Sequence, residues 1–458
     1  MKKLFAVFAL IMSMLYCGYG QEKVTPVSGG TGRTAALGGG PYNPYILDYT
    51  DVFINPAYAA QYNSLLYSDV GYGFTAFNAT GQYVGYTMSM SDLAIGLAVG
   101  RREGPMFPEQ AYGAGTYASS DYMKPSLDAW PFIPGGFGVT ATPLAPIQLY
   151  AAFKLGGLSL GAGVYRSSWS REENKTAAAG GVANRVFTRH SQTGVKVGVL
   201  LDLTSSMMLD GSFLLRFNGS VGEWSDTGAA VTPNSAKYDA SGTEIGVNAR
   251  MVIKLTDKVN VIPIARFMSF GYKPEMTNNL TPPPAVLNTT PNDYGRTDLE
   301  FGVGVHNAFE NGFVVAGVSF QQIRLKNDVT AIVAGALQTT KNTQTQTDIP
   351  KFNFGAEIGL LDWLVGRFGY FKRFTSTSSK TEPATTATTE TTTSSEAAFV
   401  PTLGLTAAQQ QLAVGLGIRI SRVSLDGYVG ERFLAAGPFV LSGNVQDLFG
   451  VLSMSFRF

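Results

Sequence analysis

The sequence predicts an all-β fold, a transmembrane antiparallel β-barrel of about 14–16 strands with an N-terminal plug, or hatch, in its lumen. Three observations predict it. The last stretch of the chain alternates apolar residues with small or polar ones. The same two-residue period recurs along most of the 458 residues. The connections between the periodic runs are alternately short and long.

In the final stretch, Phe458, Phe456, Met454 and Leu452 fall on one face, and Arg457, Ser455, Ser453 and Val451 on the other. Successive side chains of a strand point to opposite sides, so one face is suited to an apolar solvent and the other to a wet or packed polar space. A terminal Phe on such a strand resembles the closing strand of outer-membrane barrels, which implies the outer-membrane insertion machinery as a partner.

Composition narrows the class. Only 15% of residues are charged and 45% are hydrophobic, with 53 Gly, 29 Phe and 21 Tyr; soluble domains carry roughly 25% charged residues. Mean hydropathy is nevertheless only +0.07, and no long apolar run follows the first twenty residues. Helical spans, which need about 20 consecutive apolar residues, are thereby excluded. A net charge of +1 gives no electrostatic case for nucleic acid. Alternation dilutes hydrophobicity in this way when a barrel faces lipid on one side only.

Residues 1–20 read as a secretory signal. Lys2 and Lys3 supply the positive start, residues 4–15 the apolar core, and Gly18, Tyr19 and Gly20 the small-x-small site before Gln21. The single cysteine, Cys17, lies inside it. Acylation there is the alternative, disfavoured by the bulky Tyr16. Residues 21–61 do not alternate and are rich in glycine, with Gly38, Gly39 and the triplet Asn55, Pro56, Ala57. Lipid would leave their backbone groups unsatisfied, so they belong in a lumen or in the periplasm.

From Leu65 onward the period of two takes over, through residue 458. Val195, Val197, Val199 and Leu201 oppose Lys196, Gly198 and Asp202; Ile245, Val247, Ala249 and Met251 oppose Glu244, Asn248 and Arg250. Leu299, Phe301 and Val303 oppose Glu300; Phe352, Phe354 and Ile358 oppose Glu357; Leu416 and Ile418 oppose Arg419. No charge falls on the apolar face of these runs, where an arginine costs about 2–4 kcal/mol at mid-membrane. Short turns are expected at 91–92, 156–157, 204–206, 256–258, 310–312, 361–363 and 421–422. Long loops are expected at 103–146, 173–185, 225–241, 277–295, 328–350, 377–409 and 435–444. Short turns on one side and long loops on the other put both termini on the periplasmic side of an outer membrane. The Thr/Ser tract from Thr375 to Glu396 reads as low-complexity surface loop.

The residues from Gly32 to Gly39, together with the run from Asp51 to Ala57 just ahead of the first periodic stretch, resemble the N-terminal hatch of FadL-like outer-membrane transporters. They resemble equally the related PorV-like barrels of protein secretion. The first resemblance implies a plugged channel for long-chain fatty acids or aromatic hydrocarbons, with a hydrophobic small molecule as ligand. The second implies secretion-system proteins as partners. A general porin is the third alternative. In the plug, Asn55 offers hydrogen bonds to backbone groups, Pro56 fixes φ and Ala57 permits close packing.

Two sets of residues are candidate sites. The inward register carries charges of both signs, Lys196, Glu244, Arg250, Glu300, Glu357, Arg367 and Arg419, with Asp69, Asp202, Arg216, Lys254 and Asp426. They are readable as a polar path, an anchor for the plug or a lattice that stiffens the wall. Phe107, Tyr112, Trp130 and Phe132, in the longest expected loop, are candidates for hydrophobic capture. No catalytic or metal site is read: with only His190 and His306 present, there is no Cys/His spacing, phosphate loop or dinucleotide motif. No cofactor is implied.

Overall fold

The computed structural model describes residues 29–38, 43–62, 64–70, 83–101, 144–175, 184–226, 235–279, 289–333, 336–382, 389–395, 410–429 and 449–458. Residues 1–20, read as a signal, and the capture candidates Phe107, Tyr112, Trp130 and Phe132 lie outside them.

One antiparallel sheet dominates. Its strands are β1 (Leu65–Val70), β2 (Tyr83–Met90), β3 (Leu93–Val99), β4 (Leu144–Leu155), β5 (Leu158–Lys175) and β6 (Asn184–Thr204). Then come β7 (Met207–Asp226), β8 (Ser235–Lys254), β9 (Val259–Asn279), β10 (Thr289–Phe309), β11 (Gly312–Val333) and β12 (Ala336–Leu361). The last five are β13 (Leu364–Glu382), β14 (Thr389–Ser395), β15 (Gln410–Ile420), β16 (Val423–Val429) and β17 (Phe449–Arg457). Successive strands pair, except that β15 follows β13 in the ring in place of β14, and β17 pairs with β1, from Leu65 opposite Arg457 to Val70 opposite Leu452. The lower part of β13 pairs with β15 and its upper part with β14, so β14 extends the wall without adding to its circumference. The described residues form a closed antiparallel barrel of 16 strands.

The alternation read from sequence decides the two faces. On β8, Ile245 and Val247 are about 40% exposed while Glu244, Asn248 and Arg250 are at 3% or less. Val84, Leu97, Leu149, Val164, Val197, Phe213, Phe301, Val303, Phe352, Phe368 and Leu416 continue the exposed apolar ring on the other strands. Soluble monomers seldom expose an apolar patch beyond a few hundred Å². A girdle running round a closed cylinder is the outer surface of an outer-membrane barrel. No described helix is long and apolar enough to cross a membrane.

All seven expected short turns stand at one end. Gly156, at φ +57°, and Ser91, at φ +56°, supply the left-handed conformations that two-residue hairpin turns require. The opposite end departs from expectation. Nearly all of 328–350 is strand, with β11 and β12 separated by residues 334–335 alone, and strands reach partway into 173–185, 225–241, 277–295 and 377–409. The tract expected as loop at Thr375 to Glu396 lies largely in β13 and β14. Thr is β-branched and suits a pleated ladder even where both faces are wet and no alternation betrays the strand. The wall is uneven as a result. β5 to β13 run 18 to 26 residues, whereas β1, β2, β3, β16 and β17 run 6 to 9.

Candidate functional site

Residues 29–38 and 43–62 pack against the inner face of the wall through three short helical turns. The first, α1 (Thr31–Ala36), is made of small residues apart from Arg33. Gly30, at φ +98°, starts it in a conformation closed to L side chains, and a Cβ on Gly32 would overlap the Asp426 carbonyl. This close approach lets the turn's backbone bond to the wall: Gly29 N donates to Asp426 Oδ2 at 3.0 Å and Gly32 N to Ser453 Oγ at 2.8 Å. Gly38 likewise has φ +73° and lies on the backbone of β12 and β13. Gly39 lies outside the described residues.

Arg33 reaches from α1 to both partners that fix it. Its Nε donates to Glu357 Oε2 at 2.8 Å and its Nη1 to Asp48 Oδ2 at 3.1 Å. Burial alone lowers its pKa, but Glu357 and Asp48 more than offset this, and the net shift is upward. Glu357 also accepts from Arg367 at 2.7 Å and Arg419 at 3.2 Å, and Arg367 passes on to Asp426 at 2.6 Å.

The second turn (Tyr49–Phe53) is capped reciprocally, with Asp48 accepting from Thr50 N and Asp51 accepting from Asp48 N. The third (Pro56–Ala60) has Asn55 as its cap, accepting from Ala57 N at 3.0 Å, with Pro56 at the first helical position. Asn55 Nδ2 meanwhile donates to Val199 O, Asp210 Oδ1 and Gly211 O at 2.7–3.2 Å. The wall opposite is glycine: a Cβ on Gly161 would overlap Ala57 N, and one on Gly198 would overlap Asn55 Oδ1.

Arg250, 3% exposed, ties these turns together. Its guanidinium donates to Asp210 at 2.7–2.8 Å, to Tyr58 Oη at 2.9 Å, and to the carbonyls of Pro44 at 3.2 Å and Ile46 at 3.1 Å. It lies 3.2 Å from Asp51. Two buried carboxylates thus share one cation. Burial, with Asp210 and Asp48 nearby, pushes Asp51 up to about 7 although Arg250 opposes the shift. Lys196 donates to the Phe53 carbonyl. An aromatic cluster of Tyr49, Phe53, Tyr67, Tyr83 and Tyr150 fills the side toward β1 to β4, with centroids 5.1–6.5 Å apart.

Farther from the short turns, inward charges pair with one another: Arg216 with Glu244 at 2.9 Å, Arg266 and Lys351 with Glu300 at 3.2 and 2.9 Å, Arg296 with Asp298 at 2.8 Å, and Arg373 with Asp348 at 3.5 Å. Of the charges read as inward, Glu244, Arg250, Glu300, Glu357 and Arg367 are buried, and Lys196 and Arg419 are half-buried. Asp202 and Lys254 lie exposed at the short-turn end. Glu300, expected inward, belongs to the upper lattice rather than to the contacts with residues 29–62. Asp69 accepts from Thr31 N at 3.3 Å and Ser453 Oγ. His306 is stacked on Phe313 at 4.7 Å. Sequence reading missed Asp210, which alternation placed beside its neighbours without distinguishing it. It missed Arg33, Asp48 and Asp51 too, since they sit where no period exists.

No family model matches the chain, and no curated protein matches it. Solved structures do. The chain is similar in fold to FadL-like channels. Examples are a TodX deltaS2S3 mutant, a monoaromatic hydrocarbon channel (12% identity over 94% of this chain and 99% of that one, TM-score 0.37), and the toluene transporter TbuX of Ralstonia pickettii (10%, 94% and 98%, 0.35). A FadL homologue of Pseudomonas aeruginosa is another (13%, 95% and 99%, 0.36). At these identities the likeness is one of fold alone.

Proposed function

We propose that the protein is an outer-membrane channel for small hydrophobic molecules, with residues 21–61 as a plug that closes its lumen. The observation that carries this reading is the fan of bonds from Arg250 to Asp51, Tyr58, Pro44 and Ile46, which ties the N-terminal segment to the wall strand opposite. A lumen this wide conducts water unless filled. The cargo class rests on the resemblance of residues 32–39 and 51–57 to the hatch of FadL-like transporters. The mutual pairing of the inward charges agrees with it, since it leaves no ring of one sign to select ions. The short turns stand at the end where Phe458 N bonds Ser64 O, and short turns face the periplasm in bacterial barrels; both termini are assigned there. The test is uptake of fatty acids, alkylaromatics and their hydroxylated analogues by liposomes carrying the full chain. Uptake equal to that of protein-free liposomes overturns the reading.

One observation favours a second reading, a barrel serving protein secretion or surface assembly. Strands of 18 to 26 residues outrun a bilayer, which takes about 9–11, and so raise a polar sheet to which a protein partner can bind. Co-purification of secretion proteins with the barrel supports it, and recovery of the barrel alone counts against it.

A further inference from the structure

We infer that the lumen on the far side of the plug holds a site for a neutral ligand with a hydrogen-bonding head, so that the cargo is a polar-headed apolar molecule rather than a carboxylate or a bare hydrocarbon. The inference rests on the channel reading and names the substrate class.

Three inward side chains form one row across adjacent strands. Ser167 on β5 is opposite Gln192 on β6, and Gln192 is opposite Asn218 on β7. They are 3%, 8% and 4% exposed. Ser167 Oγ and both amide atoms of Asn218 have no hydrogen-bond partner among the described residues. Buried amides and hydroxyls are nearly always satisfied, and each left unmade costs about 1–3 kcal/mol. Two residues of one row, flanking Gln192 and lacking partners, mark a place where another molecule supplies them.

The row below says what kind of molecule. Tyr165 donates to Gln192 Oε1 at 3.3 Å, and the Arg216 guanidinium lies 5.9 Å from the Tyr165 ring centroid. Arg216 is itself matched by Glu244 at 2.9 Å. A carboxylate ligand would find no charge to pair with, and would be repelled by Glu244. The unmatched groups are dipoles that both donate and accept, and these suit a hydroxyl or amide. Gly194, between Tyr165 and Arg216, leaves room beside the ring: an added Cβ there would find its nearest atom 3.6 Å away.

Position fits an entry site. Gly163 abuts Pro56 of the plug, and Ser167 is four residues on, about 13 Å along the strand. On the outer face, Arg166 donates to Thr193 Oγ1 at this level. A molecule arriving from outside therefore reaches this row before it reaches the plug.

The test is binding of 4-ethylphenol, ethylbenzene and 4-ethylbenzoate to the full-length barrel in nanodiscs, by calorimetry, alongside liposome uptake of all three. The phenol is expected to bind about tenfold more tightly than the other two, the worth of one buried hydrogen bond. Asn218→Leu and Ser167→Ala should each remove most of that preference and leave ethylbenzene unchanged. Ser167→Ala, the smaller change, carries the test if the leucine variant misfolds. Equal binding of the three probes overturns the site. So does unchanged phenol affinity in folded variants, which would make the row a water site only. Absence of uptake with the phenol preference intact overturns the channel and leaves the site standing.

Discussion

Replacing Arg250 with methionine keeps the length of the side chain and deletes the one cation shared by Asp51 and Asp210. Both carboxylates are 2% exposed or less, and the pairs are 2.7 and 3.2 Å long. Asp210 would keep Tyr58 Oη and Asn55 Nδ2, whereas Asp51 would keep only the Asp48 amide. Removing one partner of a buried pair costs about 3–5 kcal/mol. The wall strands gain little by moving, so the cost falls on the seated N-terminal segment. The released fraction should rise about a hundred- to several-thousand-fold. Amide exchange of residues 43–60, followed by mass spectrometry in nanodiscs, reports that fraction, and single-channel recording should show a matching rise in open time. Arg250→Lys keeps charge without the planar fork and should fall between the two. Exchange rates in a folded Arg250→Met barrel indistinguishable from the parent would refute the view that this residue holds the segment down.

Asp51 gives a pH dependence of definite sign. Its seated pKa is raised from 3.8 to about 7, so seating binds the proton more tightly than release does. The contribution is full below about pH 4 and is lost as pH rises through 7. Exchange of residues 43–60, corrected for its intrinsic rise with pH, should therefore quicken between about pH 4 and 7, and Asp51→Asn should remove that part of the slope; a slope unchanged in the variant would show that other groups carry it. Gly161→Ala should unseat the third turn because its Cβ meets the Ala57 backbone, while Gly211→Ala, whose nearest contact is Val199 Cγ1 at 3.4 Å, should not; protease cleavage near residue 57 separates them. Val303→Arg, in the girdle at 43% exposure, should cost about 2–4 kcal/mol in urea titrations of the membrane-inserted barrel. A cost near zero would place that position outside the hydrocarbon.

The transmembrane wall was legible because lipid and lumen impose opposite demands on alternate residues, and turns such as Gly156-Gly157 punctuate them. Legibility ended where the physics changed. Above the membrane both faces of β12 and β13 meet water, so Thr343, Thr345, Ser376 and Ser378 carry no period, and neighbouring strands template the ladder instead. Within the N-terminal segment the Asn55-Pro56-Ala57 motif was visible as a place where Asn55 could bond backbone groups, but not as the cap of a helical turn. The bond from Arg33 to Glu357 spans 324 residues, and no local pattern encodes such a partner. Alternation says which way a charge points and is silent on what it will meet.

The cylinder's junction between first and last strands is short, six residue pairs between β1 and β17 against 21 between β11 and β12. The opening helical turn lies across it like a cleat, with Thr31 N bonded to Asp69 of β1, Gly32 N to Ser453 of β17 and Gly29 N to Asp426 of β16. On the proposed plug reading, completing the ring and stoppering it are mechanically one act. A chain shorn of residues 29–62 is then expected to leak for two reasons at once, an empty bore and a looser hoop.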